Sequence, residues 1–348
     1  GETGCGKSVT ALSTLLLTPS PGKIEGGEIL LKKNDGYTDL TQLDDSEIQE
    51  IRGGEISMVF QEPSEALNPV YTVGEQISEA FLTHRVNRLA EEVLRDIEED
   101  MGSTNFLKRL VLRFEKKLYE RKRGNPDSLF LKFLSKIPLI KKYQNRLKER
   151  AKRWTIQLLE DVGIPDAEGV AEKYPHEMSG GMNQRTVISM ALACRPKLLI
   201  ADEPTSSLDV SIQARILELL SDLKEDYRLA ILYITHDLGV VAQTCDRAGV
   251  MYAGRIVEIA DIEELFENPQ HPYTELLLRA VPSPNKNDLE SIGGSVPDLV
   301  SPPSGCRFHP RCPKATEICS EKAPEMVEVD EGHYVACHHW GEENEDTA

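Results

Sequence analysis

The chain has 348 residues, 40% of them hydrophobic, so it is long enough to form two domains with cores of their own. Its 40 basic and 58 acidic residues give a formal net charge of −18, which argues against a protein built mainly to coat DNA or RNA. No apolar run approaches the roughly 18 residues that a membrane-spanning helix needs. Seven cysteines in a chain of this length do not indicate a disulfide framework.

Hydrophobic patterning predicts alternating strands and helices along most of the chain. The predicted strands are 26–31, 55–60, 197–200 and 229–235, and the predicted helices are 9–17, 73–82, 186–194 and 212–223. The two later strands are short continuous apolar runs, which is typical of strands buried in a parallel sheet. Strand–helix–strand alternation of this kind predicts an α/β fold in which helices cover a parallel sheet.

A glycine-rich loop at the start of the chain fits the pattern G-x-x-x-x-G-K-[ST]. The four matching positions are Gly1, Gly6, Lys7 and Ser8, and the loop also contains Gly4 and Cys5. In such a loop, backbone N–H groups surround the β-phosphate of a nucleotide, the lysine reaches the β and γ oxygens, and the hydroxyl ligates Mg²⁺. The helix predicted from Val9 points its N-terminus at the phosphates. A chance glycine loop is the alternative interpretation.

A phosphate-binding loop of this kind follows a buried β-strand. Because the loop here starts at Gly1, we expect the chain to be an N-terminally truncated part of a longer protein.

Two adjacent carboxylates follow the apolar strand predicted at 197–200. Asp202 is expected to hold the Mg²⁺ shell, and Glu203 to orient or deprotonate the attacking water. An ordinary solvated turn is the alternative for paired acids taken alone. The alternative loses weight because the phosphate-binding loop requires carboxylates of this kind.

Three further motifs surround the acidic pair along the chain. Ser179 is predicted to cap a helix, and Gly180 and Gly181 leave the N-terminus of that helix bare for an anion. Asp209 follows the acidic pair, and His236 ends the next strand, where a sensor of the γ-phosphate is required. A purely structural histidine is the alternative at that position.

Taken in order, these motifs resemble those of the ATP-binding cassette (ABC) ATPases. The motifs match the Walker A loop from Gly1 to Ser8, the Q-loop at Gln61, the signature at Ser179, Gly180 and Gly181, the Walker B pair at Asp202 and Glu203, the D-loop at Asp209 and the switch histidine at His236. Val9, directly after the Walker A loop, is also expected to bind ATP. The resemblance implies a P-loop NTPase core with a helical subdomain, ATP hydrolysis with Glu203, Gln61 and His236 as catalytic residues, and Mg²⁺ held by Ser8, Gln61 and Asp202. It also implies a head-to-tail dimer in which ATP lies between one subunit's Walker A loop and the other's signature.

Two positions set this chain apart from the usual cassette. Met182 stands where the signature usually has glutamine. The aromatic residue that stacks on adenine in this family would lie upstream of Gly1.

Four stretches resemble the oligopeptide/dipeptide importer branch of this family. They are FQEP at 60–63, HEMSGGM at 176–182, HPYT at 271–274 and GCRFHPRCP at 305–313. The resemblance implies an ATPase subunit on the cytoplasmic face of the cell membrane that energises peptide import. Its partners would be a second ATPase subunit, either a paralogue or a second copy, two permease subunits and an external solute-binding protein.

Three alternatives stay open. One is an importer of the same branch that carries nickel or another solute. Another is a soluble ABC ATPase that acts on nucleic acid or ribosomes, although such proteins usually carry two cassettes or a long coiled coil. The third is a non-catalytic nucleotide-binding module, against which the presence of Glu203 and His236 argues.

The predicted domain boundary falls near residue 260, where the sequence becomes rich in proline. We expect an ABC ATPase domain at 1–260, with a helical subdomain at about 62–195, and a C-terminal extension at 261–348. The extension contains Cys306, Cys312, Cys319 and Cys337, separated by five, six and seventeen residues.

Four thiolates at short spacing in a reducing compartment favour a metal site over disulfides. Zinc prefers tighter cysteine pairs, so the wider spacing suits an iron–sulfur cluster better. Some members of the importer branch carry a [4Fe–4S] cluster here, and the resemblance implies the same cluster at these four positions in a structural role. Zinc and free thiols remain alternatives. We expect the other three cysteines, Cys5, Cys194 and Cys245, to be buried or incidental.

Residues 101–153 form a basic block in an acidic chain. They contain 17 basic and 4 acidic residues, whereas the rest of the chain has 23 basic and 54 acidic residues. An ordinary cassette reaches its signature in less sequence, so we interpret this block as an insertion in the helical subdomain. Its predicted apolar positions are Leu107, Leu110, Val111, Phe114 and Leu118 on one helix face, and the run at 129–140.

One interpretation of the block is a solvated helical hairpin whose apolar faces pack on each other. The other is a hairpin that rests on anionic lipid headgroups beside the permease. We expect no binding to nucleic acid, because the remainder of the chain is acidic.

Overall fold

The computed structural model describes residues 1–33, 36–102, 106–124, 138–206, 208–280 and 292–341. The chain forms two compact units, of which the first contains residues 1–38 and 233–348 and the second contains residues 39–232. Among the described residues no helix is both long enough and apolar enough to cross a bilayer.

A parallel sheet carries the acidic pair. Strand β3 (Ile56–Val59) pairs in parallel with β4 (Leu198–Asp202), with Ile56 opposite Leu198 and Val59 opposite Ala201. Strand β5 (Ala230–Ile234), in which the boundary between the units falls, completes the order β3-β4-β5. Three of the four predicted strands are therefore confirmed, and so is the parallel pairing of β3 with β4. The predicted burial of the strand at 229–235 is wrong in part, since Leu232 on β5 is 44% exposed. The interior of β4 is fully buried, as its continuous apolar run requires.

Helices make up most of the second unit. They are Asp45–Ile51, Pro63–Ala66, Val73–His84, Val86–Gly102, Phe106–Gly124, Pro138–Asp161, Ala167–Ala171, Gly180–Leu192 and Val210–Tyr227, with 3₁₀ turns at Leu40–Gln42 and Pro175–Glu177. Thr72 and Glu75 form a capping box at the start of Val73–His84, which confirms the helix predicted at 73–82. The helix predicted at 212–223 is also confirmed, and it is longer at both ends.

Two predicted helices have different bounds in the structure. The helix predicted at 186–194 begins six residues earlier, because the capping hydroxyl of Ser179 offsets the poor helix propensity of the glycines that follow. The helix predicted at 9–17 is Lys7–Thr14, because Leu16 takes a φ of 52° and the helix cannot continue through that residue.

The strand predicted at 26–31 is mostly wrong. Strand β1 occupies Leu30–Lys33 and lies beside β2 (Gly36–Asp39) in a two-stranded sheet. Gly27 takes a φ of 95°, which a regular strand does not tolerate, so the extended structure begins only after the glycines.

An antiparallel sheet organises the first unit. Its four strands, in the order β6-β7-β9-β8, are β6 (Arg247–Tyr252), β7 (Arg255–Asp261), β9 (His333–Val335) and β8 (Val327–Asp330). Its helices are Lys7–Thr14, Leu238–Thr244, Ile262–Glu267, Pro272–Arg279 and Glu317–Glu321, with a 3₁₀ turn at His309–Arg311. Strands from both sides of residue 260 thus share one sheet, and the domain boundary at 260 stays a prediction.

Three aromatic rings form the centre of the first unit. The side chains of Tyr252, Tyr273 and Phe308 are 1%, 0% and 0% exposed, and their ring centroids lie 4.6 to 5.2 Å apart. Close-packed rings in tilted or edge-to-face contact stabilise a core beyond their area alone. The C-terminal residues therefore have a packed core, although their sequence is rich in proline.

The described part of the basic block lies mainly in the helices Phe106–Gly124 and Pro138–Asp161, and the first of them buries a different face from the one predicted. On Phe106–Gly124 the side chains of Leu110, Val111 and Phe114 are 60%, 58% and 56% exposed, while Leu112 and Tyr119 are buried. The predicted apolar face is therefore wrong for these three side chains, because the helix turns its other side to the preceding helix. Leu107 and Leu118 lie outside the described side chains, as do residues 129–137 of the apolar run.

Candidate functional site

The glycine-rich loop at the start of the chain takes backbone conformations that favour glycine. Gly4 and Gly6 take φ values of 81° and 100°, a left-handed region that favours glycine. The helix Lys7–Thr14 follows directly, and no side chain caps its N-terminus. Its first N–H groups thus point toward the space in front of the loop, as an anion site requires.

The side chains of the loop divide into buried and accessible ones. Cys5 is 1% exposed, and its carbonyl oxygen accepts a hydrogen bond of 2.7 Å from the N–H of Gly254. The ammonium of Lys7 donates to the carbonyl oxygens of Gly1 and Glu2, at 2.8 and 3.2 Å. Ser8 is half-buried at the start of the helix and Val9 is exposed. The ammonium of Lys7 therefore lies against the backbone of the loop.

The acidic pair lies at the carboxyl end of β4. Asp202 is the last residue of the strand and is 4% exposed. Glu203 follows with a φ of 46°, and one of its carboxylate oxygens accepts a hydrogen bond of 3.2 Å from the amide of Gln61. Residues 142 positions apart in sequence are thus brought together, with an amide and a carboxylate beside the end of a buried strand.

The signature forms the start of a helix. The hydroxyl of Ser179 accepts from the N–H of Met182 at 3.4 Å, which confirms the predicted N-cap. Gly180 is exposed, and a Cβ added to Gly181 would lie 3.0 Å from Cγ2 of Ile212. The N-terminus of this helix is therefore open to solvent on one side, and the second glycine lets it approach the neighbouring helix.

Asp209 has a structural role that its place in a motif does not predict. Its carboxylate accepts a hydrogen bond of 3.0 Å from the N–H of Ile212, and it caps the helix Val210–Tyr227. His236 belongs to the first unit, where it is exposed after β5. The next residue, Asp237, caps the helix Leu238–Thr244.

The four cysteines of the C-terminal region line one small cavity. The N–H of Cys306 donates to the carbonyl oxygen of Cys319 at 2.8 Å, and a 3₁₀ turn separates Cys306 from Cys312. Burial raises the pKa of the Cys312 and Cys337 thiols to about 11. No group of three or more histidine, cysteine or acidic side chains in the described part of the chain is arranged to hold a metal ion.

The cysteines outside the cavity are placed as expected. Cys5 and Cys194 are buried, and Cys245 is half-buried. Burial raises the pKa of the Cys194 thiol to about 11, so this thiol is neutral at physiological pH.

Comparison with known proteins identifies the family. A family model described as "ABC transporter" matches residues 1–206, more than half of the chain. The chain belongs to the ABC transporter ATPase family. A second model, described as "Oligopeptide/dipeptide transporter, C-terminal region", matches residues 257–319. The family resemblance and its importer branch, read from the motifs, are both confirmed, and so is the P-loop NTPase fold.

Several curated relatives match almost the whole chain. A probable peptide ABC transporter ATP-binding protein of Sinorhizobium fredii is 43% identical over 342 residues, covering 97% of this chain and 83% of the relative. In Bacillus subtilis, the oligopeptide transport ATP-binding protein AppD is 40% identical (99% of this chain, 86% of the relative) and the dipeptide transport ATP-binding protein DppD is 41% identical (97% and 83%).

Solved structures of the same kind are more distant. A dimeric bacterial ABC transporter cassette, MJ0796, is 22% identical, with a TM-score of 0.49 over 75% of this chain and 83% of the other. Membership of the family makes this chain an ATPase that uses ATP and Mg²⁺.

Proposed function

We propose that this chain is the ATP-binding and ATP-hydrolysing subunit of an importer that carries di- and oligopeptides across the cell membrane. The observation that carries the proposal is the match of residues 257–319 to the oligopeptide/dipeptide transporter C-terminal region. The printed names of relatives about 40% identical over nearly the whole chain support it. No observation favours nickel, nucleic acid or the ribosome as the target.

The proposed chemistry follows from the residues at the ends of the parallel strands. Glu203 would orient or deprotonate the water that attacks the γ-phosphate, and Gln61, whose amide donates to the carboxylate of Glu203, would also hold a ligand position on Mg²⁺. Asp202 and Ser8 would hold the rest of the Mg²⁺ shell, and His236 would contact the γ-phosphate. The loop from Gly1 to Val9 binds the other phosphates through its backbone N–H groups and Lys7.

A second ATPase subunit completes the proposed site. The open N-terminus of the helix Gly180–Leu192, with Ser179 and Gly181 beside it, can receive the phosphates of a nucleotide held by the other subunit. Asp209, fixed as a helix cap in the same unit, is proposed to lie near the dimer interface. The partner is a paralogue or a second copy of this chain.

The remaining proposed partners are two transmembrane permease subunits and an extracellular solute-binding protein. The ATPase is placed on the cytoplasmic face of the membrane, where its dimer closes on ATP and drives the permease. This location is also the one at which ATP is available.

Deletion of the gene followed by uptake of labelled peptides tests the proposed function. Loss of peptide uptake, restored by the full-length gene but not by a copy with Glu203→Gln, is the expected result. Peptide uptake that survives the deletion while uptake of another solute fails would contradict the assignment to peptides.

We also propose a [4Fe–4S] cluster held by the four cysteines of the C-terminal region. The described side chains are not arranged to hold a metal ion, so the support is the donor set alone: Cys306, Cys312, Cys319 and Cys337 line one small cavity, and thiolates are the usual ligands of such clusters. When bound, the cluster would supply a cross-link between four chain positions up to 31 residues apart. Zinc held by the same thiols is the alternative.

Metal analysis of protein purified without oxygen tests the cluster. We expect a brown protein with about four irons per chain and a similar amount of acid-labile sulfide. Cys312→Ser should lose both, whereas the control Cys245→Ser, outside the cavity, should keep them. A colourless protein that contains zinc would contradict the proposal.

The basic block is proposed to contact anionic lipid. The helix Phe106–Gly124 exposes three apolar side chains, those of Leu110, Val111 and Phe114. Three exposed basic residues lie on the same face of this helix: Arg109, Arg113 and Lys117. Apolar side chains flanked by cations are typical of helices that lie in a headgroup layer. The local charge of +13 in a chain with a net charge of −18 supports an anionic partner for this segment.

A further inference from the structure

A buried arginine from the C-terminal region forms an ion pair with a glutamate of the phosphate-binding loop. The side chain of Arg311 is only 5% exposed, and its two terminal nitrogens donate to the two carboxylate oxygens of Glu2 at 2.8 and 3.2 Å. This bidentate arrangement is the strongest geometry for an arginine–carboxylate pair. Residues 309 positions apart are joined, and Glu2 is the second residue of the loop.

The rest of the guanidinium is also satisfied. Its terminal nitrogens donate further hydrogen bonds to the hydroxyl of Tyr252 at 3.2 Å and the carbonyl oxygen of Ile292 at 3.3 Å, and Nε donates to the carbonyl oxygen of Gly293 at 2.8 Å. The cation also lies 5.7 Å from the centre of the Tyr252 ring. With five N–H groups engaged, the position of this cation is fixed.

Two more contacts hold the loop from the same unit. The hydroxyl of Tyr273 accepts a hydrogen bond of 2.9 Å from the N–H of Glu2, and the Tyr273 ring is fully buried among the aromatic core. The N–H of Gly254 donates to the carbonyl oxygen of Cys5, and Arg307 donates to the carbonyl oxygen of the neighbouring Ala253. Side-chain and backbone groups of the loop are thus both anchored by residues after position 250.

The charges of Glu2 and Arg311 affect how strongly the loop can bind the phosphates of a nucleotide. Glu2 places a negative charge in a loop that must hold phosphates, and an unpaired carboxylate there would repel them. The guanidinium of Arg311 beside it offsets that charge and fixes the position of the carboxylate through two hydrogen bonds.

We propose that Arg311 is a positioning residue for ATP: through Glu2, the C-terminal region sets the affinity of the phosphate-binding loop for nucleotide. The proposal rests on the proposed function only in that the loop binds ATP. It assigns to the C-terminal region a role in nucleotide binding, and Tyr273 supports the same loop as a second anchor.

A double-mutant cycle on the full-length chain tests this role. Arg311→Gln leaves Glu2 charged and unpaired, so we expect the Kd for MgATP and the KM for ATP to rise at least tenfold, with kcat changed less than twofold. Glu2→Gln removes the repulsive charge and should change the Kd less than threefold. The double variant should recover most of the affinity that Arg311→Gln loses.

The controls separate positioning from stability. Arg247→Gln breaks an exposed arginine–carboxylate pair of 3.0 Å in the same unit, away from the loop, and should leave the Kd unchanged. Arg311→Lys keeps the charge but not the bidentate geometry, and it replaces Arg311→Gln if that variant does not fold. We expect its Kd to lie between that of the wild type and the tenfold higher value expected for Arg311→Gln. An unchanged Kd in a folded Arg311 variant, or a double variant no better than Arg311→Gln, would overturn the proposal. Because the Kd is measured by titration, it remains informative even if the wild-type chain fails to support peptide uptake.

Discussion

Glu203 occupies a backbone conformation that a residue with a side chain adopts at a cost. Its φ of 46° lies in the left-handed region, where strain is of order 1 kcal/mol or more. The same residue places its carboxylate within hydrogen-bond distance of the amide of Gln61. An observed strain of this kind, beside a buried strand that ends in a second carboxylate, supports a catalytic role for Glu203.

Replacing the charge of Glu203 while keeping its shape tests that role. Glu203→Gln removes the base but retains a side chain of the same length, so we expect ATP hydrolysis to fall by roughly 100-fold or more while the Kd for ATP stays within a few-fold. Phosphate release and nucleotide titration measure the two effects. The control Glu218→Gln, on an exposed face of Val210–Tyr227, should leave both unchanged. Hydrolysis retained in Glu203→Gln would show that another group activates the water.

The residues that sequence reasoning missed are those joined over long distances. Motif spacing is local and identifies Lys7, Asp202 and Glu203, because the chemistry of phosphate and Mg²⁺ limits the residue types at those positions. Arg311 and Tyr273 meet Glu2 across 309 and 271 positions, and neither belongs to a periodic pattern that predicts such contact. Only the packing of the aromatic core brings them to the loop.

At the scale of elements, strands and capped helices were the predictable part. Strand β4 is a continuous apolar run whose interior is fully buried, whereas β5 is as apolar but leaves Leu232 44% exposed. The cap at Ser179 predicts the start of the helix Gly180–Leu192, whereas the hydrophobic pattern alone places that start only at residue 186, after the glycines. The buried face of Phe106–Gly124 was not predictable, because the pattern of Leu110, Val111 and Phe114 does not reveal on which side the neighbouring helix packs.

The exposed face of that helix leads to a prediction about lipid binding. Arg113→Gln with Lys117→Gln removes two cations, and at ~1 kcal/mol for each basic residue near an anionic surface we expect roughly 30-fold weaker binding. Co-sedimentation of the full chain with phosphatidylglycerol vesicles at low salt measures it. Leu110→Gln with Phe114→Gln should weaken binding to the same vesicles at any salt concentration, because its contribution is not screened.

A matched pair of cations elsewhere provides the control. Lys32 and Lys33 are exposed on β1, and changing both to Gln removes the same charge. Equal losses of vesicle binding in the two charge variants would show that only the net charge of the chain matters. The helix Phe106–Gly124 would then have no specific role in lipid binding. Binding to neutral phosphatidylcholine should be weak for every variant.

A buried carboxylate ties the strands of the C-terminal region together. Glu258 on β7 is 0% exposed and accepts hydrogen bonds from the N–H groups of Gln270 and His271, at 2.7 and 3.0 Å, and from the ring of His333 on β9 at 2.8 Å. Glu258→Ala leaves these donors buried without an acceptor, so we expect a loss of about 3–5 kcal/mol in the free energy of unfolding.

Denaturant unfolding of the full chain measures that loss, and an exposed pair is the control. Asp261→Ala breaks the pair with Arg247, in which the two side chains are 65% and 51% exposed, and should cost less than about 1 kcal/mol. Equal losses for the two variants would mean that burial of the Glu258 carboxylate does not determine its contribution.

At the scale of the whole molecule, the motifs of one ATPase are distributed over both units. The first unit carries the phosphate-binding loop and His236, and the second carries Gln61, the signature and the acidic pair. The order of motifs along the chain predicts the family, which the match over residues 1–206 confirms. The assignment of Arg311, which directly precedes the proposed cluster ligand Cys312, links the C-terminal region to the nucleotide and required the structure.

Phosphate release by the complete transporter in lipid vesicles, measured with and without peptide, tests the central claim most directly. We predict that peptide, presented with its solute-binding protein, raises the rate of ATP hydrolysis, that labelled peptide crosses the membrane only when ATP is present, and that Glu203→Gln abolishes both effects. A rate of ATP hydrolysis that does not change when peptide is added, together with no ATP-dependent transport of peptide, would contradict the account.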